Sequence, residues 1–142
     1  MENRIVSTVL FACLFAQALK VIYLIITERR IDLRRFFSTG GMPSSHASTV
    51  ASLTTCIART EGINTPIFAL TLAFTLVTLY DAAGIRRAAG KQAEVLNKII
   101  DNWDDDSADL LEGRLKELLG HTPMEVFWGC TLGIVIGLLA KL

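Results

Sequence analysis

A chain of 142 residues is the length of a single domain. Half of it (51%) is apolar and a fifth (20%) is charged, with 14 basic residues balancing 14 acidic ones. Zero net charge, with no basic face interleaved with aromatics, excludes a nucleic-acid partner. Two histidines and three cysteines without paired spacing exclude a zinc site and a disulfide frame, so no metal is expected to be part of the site. Cys13, Cys56 and Cys130 all lie in apolar stretches and read as small packing residues. The charges are segregated from long apolar runs, as in a small polytopic membrane protein, and mean hydropathy is +0.45.

The first such run covers residues 5–27, enough to cross a bilayer. Ala16-Gln17-Ala18 has the shape of a signal-peptide cleavage site, but the apolar run continues past it and the leading residues are barely basic, so a retained helix is expected. Cys13, Gln17, Lys20 and Thr27 share one side of that helix. A lysine inside a span costs about 2.5–3.5 kcal/mol on insertion scales, so Lys20 should face a partner or a wet cavity unless it snorkels to the interface. A charged connection follows, in which Arg34 and Arg35 lie nearest the next motif.

That motif is Gly40-Gly41-Met42-Pro43-Ser44-Ser45-His46. Glycines let backbone N–H groups converge on an anion, and a serine can cap the helix that follows. The helix N-terminus adds unpaired donors and partial positive charge. An imidazole there can protonate a departing group. The helix expected over 44–60 is rich in Ser, Thr and Ala and suits a buried place in a bundle. Glu61 to Pro66 reads as a turn, and a third hydrophobic helix is expected over 65–85. It ends near Arg86-Arg87, which mark either a membrane interface or a cleft holding an anion.

Residues 92–119 are polar and amphipathic, with Val95, Leu96, Ile99 and Ile100 as one apolar stripe and Leu110, Leu111, Leu115, Leu118 and Leu119 as another. They predict a helical hairpin on one membrane face, with Asp104, Asp105 and Asp106 in its solvated turn. The last helix, expected over 123–141, carries Gly129, Gly133 and Gly137 at every fourth position, a seam for close helix packing. His121 stands at its mouth, with Thr122 as cap, Pro123 at the first helical position and Glu125 one turn in. A carboxylate so placed can bond one imidazole nitrogen and leave the other nucleophilic.

Counting crossings puts Ser44, Ser45, His46, Arg86, Arg87, His121 and Glu125 on one face. Two histidines, an arginine pair and an anion-binding loop suit phosphoryl transfer through a phosphohistidine. At these residues the chain resembles the divergent branch of the type 2 phosphatidic acid phosphatases, related to vanadium haloperoxidases. Pro43-Ser44-Ser45-His46 is similar to the family's PSGH motif with serine for glycine, and His121-Thr122-Pro123-Met124-Glu125-Val126 to its HxPxDV segment with glutamate for aspartate. Arg86-Arg87 resembles the arginine normally just upstream of that histidine, so the hairpin would be an insertion. The family's first motif is degraded: Lys20 is its candidate lysine and there is no Arg-Pro.

The resemblance implies a metal-independent phosphatase of a lipid or prenyl phosphate, with no cofactor. His121 would attack phosphorus, Glu125 would orient it and His46 would protonate the leaving alkoxide. Lys20, Ser44, Ser45, Arg87 and Arg35 would hold the phosphoryl oxygens, with Arg86 the other candidate of its pair. The expected fold is all-α, a single membrane domain over 1–142 with about four membrane helices and the inserted hairpin. Four crossings are fewer than the family's usual six, so a homodimer is expected to complete the bundle. The excess of arginine and lysine on the site face places that face in the cytoplasm. Two other readings stand beside this one: a non-catalytic membrane protein that binds a phosphorylated lipid or scaffolds a partner, and a magnesium enzyme using Asp104–Asp106. The phosphatase requires the two imidazoles to lie within about 10–12 Å of each other.

Overall fold

Three helices begin on capping residues, each one step before a small-residue or apolar run. Ser44 and Thr65 sit in extended backbone and accept from the N–H three residues on, at 3.3 and 3.4 Å. Thr122 does the same for Glu125 and has Pro123 at the first helical position, where a missing N–H costs nothing. In this computed structural model, which describes residues 2–28, 41–101 and 120–142, the elements are α1 (Glu2–Glu28), α2 (Ser45–Thr60), α3 (Pro66–Tyr80), a π-helical turn (Asp81–Ile85), α4 (Arg86–Asp101) and α5 (Pro123–Leu139). The fold is all-α, with no strand among the described residues.

A helix rich in serine, threonine and alanine lies at the centre. α2 packs against α1, α3 and α5, and it buries Ser45, Ala47, Ser48, Val50, Ala51, Ser52 and Cys56. Its hydroxyls tie it to its neighbours. Ser48 Oγ donates to the Ala12 carbonyl at 3.3 Å, and Thr54 and Thr75 share a hydrogen bond of 2.7 Å. Thr75 is also within reach of the Val50 carbonyl, at 3.2 Å. The large apolar side chains point the other way, with Leu14, Leu70, Phe74, Val77, Phe127 and Leu138 all more than half exposed. Small polar residues inside and large apolar ones outside is the arrangement of a bundle surrounded by lipid, where packing and interhelical hydrogen bonds hold helices together. By length and apolarity, Arg4–Tyr23 and Pro66–Ile99 qualify as spans, and Pro123–Leu139 is a shorter apolar helix.

α5 meets α2 along the glycine seam. Gly129, Gly133 and Gly137 are its buried residues, and a Cβ at any of them would collide with α2. α1 turns Ala12, Ala16 and Lys20 inward at four-residue intervals.

The expected break between the third helix and the polar insertion is replaced by the π turn, so α3 runs on into α4. Residues 81–92 hold neither a proline nor an effective cap, and Ala82, Ala83 and Gly84 tolerate a widened turn. On α4 the buried residues are Gly90, Ala93 and Asn97, while the predicted stripe residues Val95, Leu96 and Ile99 are exposed. Glu94 and Lys98 pair one turn apart at 2.7 Å. The second arm of the expected hairpin and Asp104–Asp106 lie outside the described residues.

The bundle has two distinct ends. At one, Arg59 donates to the Gly137 and Ala140 carbonyls at 2.7 and 2.8 Å, neutralising the C-terminus of α5, and Arg4 reaches the Lys141 carbonyl at 3.4 Å. At the other lie the C-terminal half of α1, the starts of α2 and α5, and the π turn.

Candidate active site

Glu125 is the third residue of α5, where a glutamate can reach back to its own cap. It completes a capping box with Thr122: Glu125 N–H donates to Thr122 Oγ1 at 3.3 Å, and Thr122 N–H donates to Glu125 Oε2 at 3.2 Å. The same Oε2 lies 3.0 Å from His121 Nδ1. One carboxylate oxygen therefore holds the helix start and the imidazole together. Glutamate at this position has the reach that the capping box needs, which gives the departure from aspartate a physical reason.

His121 is fixed from a second direction. Its backbone N–H donates to the Ala82 carbonyl in the π turn at 2.9 Å. With a carboxylate on Nδ1, the neutral ring carries its proton there and presents Nε2 as a lone pair. His121 is 4% exposed, and Nε2 is buried without a hydrogen-bond partner among the described residues. Burying such an atom unsatisfied costs on the order of 1–3 kcal/mol, the kind of exception that marks a reactive group or a ligand position.

His46, in the first turn of α2, faces it. The ring centroids are 5.8 Å apart with the planes tilted by 55°, well inside the 10–12 Å limit. His46 is exposed where His121 is buried, so one imidazole lies within the protein and the other at its mouth.

The loop between them is tied to α5. Ser44 N–H donates to the Glu125 carbonyl at 3.0 Å, and Ser44 Oγ caps α2, leaving Ser44 fully buried with its N–H already engaged. Ser45, nearly buried, is the first residue of α2, where the backbone N–H has no helical carbonyl to meet. Gly41 takes φ of 95°, a conformation open to glycine, and the Lys20 stem crosses it closely: a Cβ there would lie 2.9 Å from Lys20 Cε. Lys20 is 3% exposed, so it does not snorkel to the bundle surface.

Lys20, Ser44, Ser45, His46, His121 and Glu125 thus gather at one end of the bundle. Arg86 and Arg87 begin α4 beside the π turn, but their side chains, like Arg34 and Arg35 entirely, lie outside the described residues. The π turn and its Ala82 carbonyl were missed at the sequence level; the cluster Ala82-Ala83-Gly84 is compatible with such a turn but does not specify it.

No solved structure matches the chain. The uncharacterized membrane protein YuiD of Bacillus subtilis (strain 168) is 40% identical over 139 residues, covering 91% of this chain and 88% of the relative. A likeness of that extent, with the apolar helices described above, makes this a membrane protein. The profile of the Divergent PAP2 family matches residues 1–136, which take in the paired histidines and the helices that carry them, and the chain belongs to that family.

Proposed function

We propose that the protein is an integral membrane phosphatase that hydrolyses a lipid or prenyl phosphate through a phosphohistidine. The observation that carries this reading is the His46–His121 pair, 5.8 Å apart, with Glu125 on Nδ1 of His121 and Nε2 left open. The His121 Nε2 lone pair attacks phosphorus and the bond from phosphorus to the alkoxide oxygen breaks. His46, entering protonated, gives that oxygen its proton. Neutral His46 then takes a proton from water, which attacks the phosphohistidine; the P–N bond breaks and phosphate leaves. Glu125 stabilises the positive charge that appears on His121 at attack. Lys20, the Ser45 N–H and the arginines Arg35, Arg86 and Arg87 supply the donors for the phosphoryl oxygens, while Ser44 shapes the cradle.

The test is release of inorganic phosphate from a long-chain alkyl phosphate by the purified chain in detergent. Activity is expected to persist in excess chelator and to be blocked by vanadate, whose trigonal-bipyramidal form accepts an imidazole nitrogen. Binding of the phosphate without turnover would replace this reading with the non-catalytic one. Loss of activity on chelation would favour a magnesium enzyme.

The site end is proposed to face the cytoplasm, on the arginine and lysine bias of its loops. With Cys13, Cys56 and Cys130 replaced by alanine, a cysteine introduced by Lys91→Cys should be protected from an impermeant thiol reagent in intact cells. One introduced by Ile63→Cys, at the other end, should react. The reverse pattern would invert the topology.

A further inference from the structure

α1 and α5 both pack on α2 but touch each other much less, and the gap between them is an apolar cleft of about 490 Å³. Leu19 and Tyr23 form one wall, Trp128 and Leu132 the other, and Met42 and Pro43 close the end nearest the site. These last two residues run directly into Ser44-Ser45-His46, so the cleft and the phosphate loop share a wall. Tyr23 and Trp128 are each nearly half exposed, which leaves the cleft open to the surrounding lipid.

The lining covers residues 19–26, toward the site end of α1, and 128–135, the middle of α5. At 1.5 Å per residue that is about 10 Å of depth, against about 15 Å of hydrocarbon in one leaflet. A volume of this size, lined by apolar and aromatic side chains, is in the range of small-molecule sites.

We infer that this cleft holds one hydrocarbon chain of the substrate, drawn from the leaflet on the site side, while the phosphate lies between His46 and His121. The occupant is the substrate's own tail because the wall that ends the cleft begins the phosphate loop. A molecule with its head at His46 and its chain passing Pro43 runs into this cleft. The inference rests on the proposed phosphatase reading for the identity of the head group alone. The binding energy of the chain then orients a phosphate far from it, and truncated substrates lose turnover as well as affinity.

The full chain is assayed in detergent with alkyl phosphates of increasing length, and with phenyl phosphate as a short reference. kcat/KM is expected to rise until the alkyl chain is about 10 Å long and then level off. Leu132→Trp, which fills the cleft, is expected to lower kcat/KM for the long phosphates at least about tenfold and to leave phenyl phosphate within about twofold. Equal turnover of long phosphates by both proteins overturns the inference. Equal loss on both substrates with a change in oligomeric size also overturns it, assigning the cleft to a second copy. If the wild-type chain turns over neither compound, the phosphatase reading falls, and binding alone decides the cleft. An alkyl phosphate with a mid-chain diazirine should then crosslink to 19–26 or 128–135, and lose that crosslink in Leu132→Trp. Crosslinks scattered over the exposed face of α3 would overturn the cleft assignment.

Discussion

Replacing His121 with alanine is expected to lower phosphate release by about 10⁴-fold or more, because in the proposed mechanism the P–N bond forms at its Nε2. The fold should survive. His121 contributes a backbone N–H to the Ala82 carbonyl, which alanine keeps, and among the described residues its ring bonds to Glu125 alone. Glu125 retains the Thr122 N–H in the variant, so the capping box stays closed. Melting in detergent near the wild-type temperature would separate lost chemistry from lost structure.

His46→Ala should behave differently, and the contrast is the stronger test. General acid catalysis is worth about 10²–10⁴-fold, and most when the leaving group is a poor one. With an alkyl phosphate the loss should fall in that range. With a phosphate ester of an acidic phenol, whose oxygen leaves without a proton, the first step should recover while the second still lacks its base. A burst of phenol equal to the enzyme concentration should follow, with phosphate held on His121 in an acid-labile bond. Full steady-state turnover by His121→Ala, or the absence of phosphoenzyme in His46→Ala with the phenyl ester, would sink the assignment.

How much of this was legible in the chain varies with the range of the interaction. Caps are local, so Thr122-Pro123-x-Glu125 could be read as a helix start and its glutamate as the partner of His121. The glycine seam is periodic, and its use for close packing follows from the period. The encounter of His46 with His121 is separated by 75 positions, but it follows from counting crossings, since alternate helix ends must lie together. The π turn followed from none of these. Its function depends on where the Ala82 carbonyl points, a matter of tertiary geometry, and the residues around it are compatible with an ordinary helix. The apolar stripe of α4 was legible from its period, whereas the burial of Gly90, Ala93 and Asn97 on that helix was not. Inside lipid, small residues that permit close approach are favoured at helix contacts over large apolar ones. That preference explains why α2, the least apolar of the helices assigned to the bundle, is the one the others surround.

The seam and the site are one structure, and the glycines test that. A Cβ at Gly129 would strike the Ser44 carbonyl oxygen and lie 2.9 Å from Ala47 Cβ. A Cβ at Gly133 would strike the Ser48 carbonyl and lie 3.0 Å from Ala51 Cβ. In both cases the obstacle is helix backbone, which cannot turn aside as a rotamer can. At Gly137 the nearest atoms are Thr55 Cβ and Cγ2, at 2.7 and 2.9 Å, with the Ser52 carbonyl at 3.1 Å. The approach there is less close than at the other two, so a smaller shift of the helices relieves it. Gly129→Ala and Gly133→Ala are each expected to cost about 1–3 kcal/mol of stability, and Gly137→Ala less. Activity should sort the variants along another line. Ser44 N–H is bonded to the Glu125 carbonyl, so forcing Ser44 away at Gly129 moves the residue that holds His121, whereas Gly133 lies one turn further from the site. At a temperature where all three variants remain folded, Gly129→Ala should lose about tenfold or more in kcat, since a displacement of an ångström at a reacting group costs on that scale. Gly133→Ala should lose far less. Equal activity in these two variants would break the link between the seam and the imidazole, and unchanged melting in both would show that α5 does not pack on α2 through its glycines.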